Sequence, residues 1–231
     1  MGPAANPLDE EGRVLMRRIV ESQAWRQLAA MNILGHCLKY VTRVESKELV
    51  AEELHTSLRL FREVRALYGE LGWTDLVAAV RDRLERVPYP ASRLEFGICR
   101  YLCDQAEHVA MESYVDCALR PFAAIARSYL ESTRALVPDG DRVFVEYCAE
   151  PGNRPHAQEL YDRWLGIALL SFGRPGTAGD RRAVALGLRS RRAADMARSF
   201  LDEIEPYRVR CGLRQPGADA LGIELPREIA G

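Results

Sequence analysis

Glu52 and His55 are three residues apart in the segment LVAEELHTSLRLF, which begins at Leu49. On a helix, side chains three residues apart lie on one face. A helical bundle holds a di-iron centre when two helices each supply a Glu and two others each supply Glu-x-x-His, all pointing inward. Glu52 and His55 are therefore candidate iron ligands.

The apolar residues of the same helix indicate a different inward carboxylate. At about 100° per residue, one arc of the helix is formed by Val50, Leu54, Leu58, Phe61, Val64 and Tyr68. Glu53 falls within this apolar arc, whereas Glu52 and His55 fall on the side that carries Arg59. Thr56 stands three residues after Glu53, where a second ligand would be His. Spacing favours Glu52 and His55, polarity favours Glu53, and the sequence leaves both open.

Asp104 and His108 are four residues apart in ASRLEFGICRYLCDQAEHVAMESYVDCA, which begins at Ala91 and is apolar nearly all round. Such a helix is typical of the centre of a bundle. A buried Asp and a buried His must be paired or hydrogen-bonded. Two interpretations follow: a structural Asp–His hydrogen bond, or a pair that performs acid–base chemistry or binds a metal.

Two further carboxylates are candidate ligands. Glu21 shares a helical stripe with Trp25, and Glu131 lies in the segment LRPFAAIARSYLESTRAL. The residue three positions after Glu131 is Arg134, which cannot ligate iron. It could instead pair with Glu131 and supply a positive charge in place of a cation. A second complete Glu-x-x-His is therefore absent from the sequence.

The elements that position these residues are all predicted to be helices. Apolar residues recur at spacings of three and four, and sustained two-residue alternation is almost absent. Gly- and Pro-containing breakers separate the periodic segments. The predicted helices are 9–40, 45–72, 91–118, 119–136, 155–173 and 180–206. We expect one all-α domain over residues 1–231, with a flexible N-terminus at 1–12 and an extended tail at 211–231.

Composition narrows the class of protein. The chain has 231 residues, of which 48% are hydrophobic and 28% charged, and a formal net charge of -1. This balance is typical of a globular domain and argues against generic electrostatic binding to nucleic acid or to an anionic membrane. No apolar run is long enough to span a bilayer. Six cysteines without a CxxC pair, together with no visible signal peptide, predict reduced thiols and a cytoplasmic location.

Several segments resemble one known family. They are LYDRWLGIALLSFGRPG from Leu160, LRSRRAADMARSFLDEIEPYRVRCGL from Leu188, RYLCDQAE from Arg100 and EELHTSLRLF from Glu52. Together they are similar to the phenylacetic acid catabolic protein family, which includes the catalytic subunit of phenylacetyl-CoA epoxidase. The resemblance covers about residues 13 to 215 at low identity. It implies a ferritin-like four-helix bundle with additional C-terminal helices.

The resemblance also implies a metal site. It places Asp104 on a family iron ligand and Glu21 on the first Glu. Matching the Glu-x-x-His motif selects Glu52 and His55, whereas matching LRLF selects Glu53 and puts Thr56 in the place of His. Glu131 corresponds to the second Glu-x-x-His, whose His is missing. The implied cofactor is one or two iron ions, or none if the motifs have eroded too far.

The implied activity is oxygenation of an activated acyl substrate that is linked to CoA or to a carrier. A separate reductase would supply electrons, and the family suggests homodimers or mixed complexes. Arg181, Arg182 and Arg191 lie in the most basic stretch of the chain and could hold the phosphates of such a substrate. The alternative is a solvated helix whose arginines pair with acids such as Asp195 and Glu203.

Three hypotheses follow for function. The first is a ferritin-like iron monooxygenase. The second is a metal-free relative that serves as a structural subunit. The third is a metal-independent enzyme that uses Asp104 and His108 for acid–base chemistry in the same bundle.

Overall fold

The computed structural model describes residues 8–133 and 139–217. In these ranges it contains nine α-helices and no strand. They are α1 (Glu10–Cys37), α2 (Val44–Glu70), α3 (Leu76–Leu84), α4 (Arg93–Glu112), α5 (Arg120–Thr133), α6 (Asp139–Cys148), α7 (Arg154–Leu169), α8 (Ala178–Ala185) and α9 (Ala193–Arg210). The prediction of an all-α helical bundle is confirmed.

Short polar side chains begin four of these helices. The Asp9 carboxylate accepts a hydrogen bond from the Gly12 N–H at the start of α1, at 2.7 Å. Ser92 caps α4, Thr177 caps α8 and Asp75 caps α3 in the same way. Each cap satisfies a backbone donor that would otherwise have no intrahelical partner. These caps fix where each helix begins and so which residues face the interior.

The helices enclose two apolar clusters that meet along α1 and α4. In the first, α4 packs against α6, α7 and α9, with Phe144, Trp164 and Phe200 fully buried between them. In the second, α1 and α2 pack together and α5 lies against α2 and α4, around Phe61 and Phe122. Helix α4 contributes to both clusters, as its apolar sequence predicts.

The predicted helix at 180–206 is wrong, because the segment forms two helices, α8 and α9. The break contains Gly187, whose φ is +65° and whose carbonyl accepts a hydrogen bond from the Ala118 N–H at 2.8 Å. A left-handed residue ends α8 and turns the chain toward α9. The basic stretch therefore lies on two helices and the turn between them.

Other predicted boundaries shift by a few residues. The predicted helices at 9–40 and 155–173 each end in a short 3₁₀ turn, and helix 91–118 ends at Glu112. Helices α3 and α6 were not predicted. The expected flexible terminus at 1–12 already carries the first turn of α1, and residues 1–7 lie outside the described chain. Of the expected tail, residues 211–217 are described and form no further helix, while 218–231 lie outside.

Two further sequence expectations bear on the whole chain. All six cysteines are free thiols, and five of them are buried. Among the described residues, no helix combines the length and the apolar character needed to cross a membrane.

Candidate functional site

A cavity of about 720 Å³ lies inside the bundle. Helices α1, α2, α4, α5 and α7 form its walls, together with the end of α3 and the segment that follows it. Its apolar lining includes Trp25, Ile33, Leu34, Leu60, Trp164 and Ile167. Three carboxyl groups also line it: those of Glu53, Asp104 and Glu107. A volume of this size fits a small organic molecule.

Arg100 lies between two of these carboxyl groups. Its Nη2 donates to Glu53 Oε1 at 2.5 Å and to Asp104 Oδ2 at 3.0 Å. Only 11% of the Arg100 side chain and 9% of the Glu53 side chain are exposed. Arg100 and Asp104 are one turn apart on α4, and Glu53 reaches them from α2. A guanidinium thus occupies the position between two carboxylates that a cation takes in a carboxylate-bridged metal centre.

The environment raises the pKa of both carboxyl groups. Burial raises the pKa of Glu53 to about 7, against the opposing effect of Arg100. Burial also raises the pKa of Asp104, and Arg100 again opposes it. Asp104 lies inside the bundle, but 44% of its side-chain area is accessible. This accessible area faces the cavity that Asp104 lines. Near neutral pH, both protonation states of Glu53 are therefore populated.

Glu107 is held by amide groups from α1. Gln23 Nε2 and Gln27 Nε2 each donate to its Oε1 at 2.7 Å. Burial raises the pKa of Glu107, and the positive charge of Arg26 opposes this shift. Tyr129 on α5 is hydrogen-bonded to the same carboxyl, and burial raises its pKa well above the ordinary value. This carboxyl has enough donors to stay in place without a metal ion.

The predicted iron ligands are not brought together. Glu52 and His55 are exposed on the outer side of α2. Glu21 accepts hydrogen bonds from Arg17 and from the Tyr68 hydroxyl, both at 2.8 Å, away from the cavity. Glu131 is exposed on α5. Of the five predicted ligands, only Asp104 lines the cavity.

The described residues do not fit a di-iron centre. Within residues 8–133 and 139–217, no three His, Cys, Asp or Glu side chains are placed to hold a metal ion. The register with Glu53 inward is the one that the helix adopts, and Thr56 lines the cavity in the place of a His ligand. Arg100 already occupies the Glu53 and Asp104 oxygens that face each other. A metal ion there would have to displace a guanidinium.

Asp104 and His108 both line the cavity but do not pair with each other. Asp104 takes Arg100 as its partner, while His108 Nε2 lies 3.7 Å from Glu112 Oε1. Each of the two has a charged neighbour one turn away in the opposite direction along α4 and is closer to that neighbour. The acid–base group with the more suitable surroundings is Glu53, which the sequence also indicated as inward-facing.

The arginines predicted to hold phosphates contact groups of the chain itself. Arg182 pairs with Asp9 and Glu11 at the start of α1. Arg191 pairs with Glu112 at 2.8 Å and donates to the Val109 carbonyl. Arg181 donates to the carbonyl of Gly176. None of the three lines the cavity.

Sequence reasoning missed Arg100 and Arg26. A signal for Arg100 exists, because it stands four residues before Asp104 and so on the same face of α4. Gln23 and Gln27 are also four residues apart, on α1. Their two amide groups can therefore donate to one buried acceptor. No sequence pattern specifies that Glu107 would be this acceptor.

No protein-family model matches the chain, and no curated protein matches it. The similarity to the phenylacetic acid catabolic proteins therefore rests on the quoted segments alone.

Proposed function

We propose that the protein is a metal-independent enzyme that binds a small organic molecule in the central cavity and transfers a proton through Glu53. The observation that carries this proposal is the contact of Arg100 with both Glu53 and Asp104 on the cavity wall. The guanidinium supplies the positive charge that a bound cation would otherwise supply. The chemistry left to the site is acid–base chemistry.

Glu53 has the properties that proton transfer requires. Its pKa of about 7 makes both protonation states available at neutral pH. Its Oε1 is held by Arg100, and its Oε2 is buried without a hydrogen-bond partner. A buried polar atom without a partner costs free energy, and a functional role is one reason for a protein to keep one. The Glu53 carboxyl is therefore the group that would accept or donate the substrate proton.

The surrounding residues orient this group and shape the cavity. Arg100 fixes the plane of the Glu53 carboxyl, and Asp104 shares the guanidinium charge, so that Glu53 is not locked in its ionised form. Trp25 and Ile167 line the cavity, are partly exposed and provide apolar surface for the body of the substrate. Exclusion of water by such a lining strengthens each electrostatic interaction inside it.

Two measurements test the proposal. Metal content is determined by mass spectrometry on protein produced with iron supplied, and we expect far less than one iron per chain. Infrared difference spectra between pH 5 and 9 follow carboxyl protonation. We expect a protonated carboxyl band that disappears through about pH 7 in the wild type and is missing in Glu53→Gln.

The iron monooxygenase implied by the family resemblance makes the opposite prediction. One or two irons per chain, lost in Asp104→Ala, would support oxygenation of a CoA- or carrier-linked acid with a separate reductase, and would refute the metal-independent proposal. A protein without iron in which Glu53 stays ionised at pH 5 would instead support a structural subunit in a homodimer or mixed complex. The free thiols of all six cysteines support the cytoplasm as the location in either case.

A further inference from the structure

Three arginines on the cavity wall have no acidic partner. Arg26 lies on α1, Arg83 on α3 and Arg86 two residues beyond the end of α3, and all three line the cavity. Within the part of the chain that the structure describes, none of them forms an ion pair with a carboxylate. These three guanidinium groups therefore leave positive charge on one wall.

Arg26 is the buried member of this group. Only 8% of the residue is exposed. Its Nη1 donates to Gln23 Oε1 at 3.0 Å and its Nη2 donates to the Ser171 carbonyl, both of which are neutral acceptors. Its Nε is buried and has no hydrogen-bond partner. A buried guanidinium with neutral partners and a spare donor is expensive, and an anion in the cavity would offset this cost.

Arg83 and Trp25 extend the same positive region. The Arg83 guanidinium lies 4.8 Å from the centre of the Trp25 ring and its Nη1 is 3.4 Å from Ser22 Oγ. Burial lowers the pKa of Arg83, and the like charge of Arg26 lowers it further. The Trp25 Nε1–H is also buried without an acceptor. Two unpartnered donors, one on Arg26 and one on Trp25, thus accompany two mutually repelling cations.

Two nearby carboxylates act on this region through space but form no hydrogen bond to the three arginines. Glu107 interacts with Arg26 only through space, and its Oε1 is already bonded to Gln23 and Gln27. Glu21, which influences Arg83, is bonded to Arg17. The acids closest to the arginines therefore have other partners.

We propose that the cavity binds an apolar molecule that carries one anionic group, a carboxylate or a phosphate, and that Arg26, Arg83 and Arg86 hold this group. Guanidinium groups suit such anions because their parallel N–H donors match two oxygens at once. The apolar body would lie against Trp25 and Ile167, which line the cavity and are partly exposed. This inference rests on the proposed function, since it specifies the class of molecule presented to Glu53.

Two dyes with the same aromatic rings provide the first test. 8-Anilinonaphthalene-1-sulfonate carries an anionic group and N-phenyl-1-naphthylamine does not, and both become fluorescent in an apolar cavity. We expect the anionic dye to bind at least about tenfold more tightly, because a hydrogen bond to a charged group contributes at least this factor to binding. The preference should weaken as salt concentration rises.

Variants connect the preference to the arginines. The exposed pair is removed in Arg83→Gln/Arg86→Gln, which should weaken binding of the anionic dye far more than binding of the neutral dye, so that most of the tenfold preference is lost. Arg81→Gln is the matched control, because Arg81 is exposed on the same helix and does not line the cavity. Displacement of the dye by octanoate, octyl phosphate and octanol then distinguishes the sources of the anion. Octanol should be the weakest competitor, and the stronger of the two anions identifies the head group.

Three results would overturn the inference. They are equal binding of the two dyes, an effect of Arg81→Gln as large as that of the double variant, and failure of every dye and aliphatic anion to bind. None of these results decides whether Glu53 titrates near neutral pH or whether iron is present. The infrared and metal measurements therefore test the proposed function separately.

Discussion

Replacement of Arg100 by Met should destabilise the protein in a pH-dependent way. Met has an unbranched chain that fills much of the volume of the Arg100 stem, but it removes the donor that reaches Glu53 and Asp104. Removing one partner of a buried ion pair costs about 3–5 kcal/mol, because a buried charge loses its compensation. We expect the free energy of unfolding at pH 8 to fall by about this amount.

At pH 5 the loss should be smaller, about 1–2 kcal/mol, which is the order of the lost hydrogen bonds and packing. Without Arg100, the pKa values of Glu53 and Asp104 in the folded state rise above their already raised wild-type values. The folded protein then holds these protons to a higher pH than the unfolded chain does. Protonation of these two carboxyl groups therefore stabilises the folded variant at low pH. This contribution is lost as the pH rises through their pKa values in the folded state.

Urea denaturation followed by circular dichroism at pH 5 and pH 8 measures both quantities. Arg62→Met is the control, since Arg62 is exposed on α2 and lies outside the cavity. Adding Glu53→Gln to Arg100→Met should recover part of the stability lost at pH 8, because one of the two uncompensated charges is gone. Equal losses at the two pH values, or no loss at pH 8, would refute the reasoning about Arg100 as the compensating cation.

Three other predictions concern individual residues. Protonation of Glu53 contributes to the free energy of unfolding of the wild type, and this contribution is lost as the pH rises from 4.5 through about 7. In Glu53→Gln, the free energy of unfolding measured with urea should therefore depend less on pH in that range. Gly187→Ala should lower the free energy of unfolding by about 1 kcal/mol, because φ is +65° at this residue. Calorimetry should show a melting temperature lower by roughly 2–4 °C. Equal melting temperatures would show that the turn tolerates a side chain. Thr56→His completes Glu-x-x-His on the inward side of α2. We still expect mass spectrometry to find no gain of iron, because Arg100 remains between Glu53 and Asp104. Stoichiometric iron in this variant would contradict the prediction.

Helical periodicity was sufficient to orient α2. The apolar arc placed Glu53 inside and Glu52 and His55 outside, and the structure has them so. The arc was less accurate at its edge, since Leu54 was assigned to it and is 37% exposed. Periodicity reports direction around a helix axis, so it predicts burial well at the centre of a face and poorly at its margins.

The partner of each inward carboxyl could not be predicted in the same way. Arg100 precedes Asp104 by one turn in the sequence, but its contact with Glu53 depends on the packing of α2 beside α4, which a single helix pattern does not encode. The separation of α8 from α9 was missed because the residues on both sides of Gly187 have helical spacing. The Gly187 turn is stabilised by a hydrogen bond to Ala118, a residue distant in sequence.

The cation between Glu53 and Asp104 is covalently part of the polypeptide. A metal ion at such a position stabilises a fold by mass action, so that its contribution varies with the concentration of free metal. The guanidinium of Arg100 is delivered at a fixed stoichiometry each time the chain is synthesised. The charge balance at the centre of this bundle therefore needs no ligand from solution, and its strength is the same in iron-rich and in iron-starved surroundings.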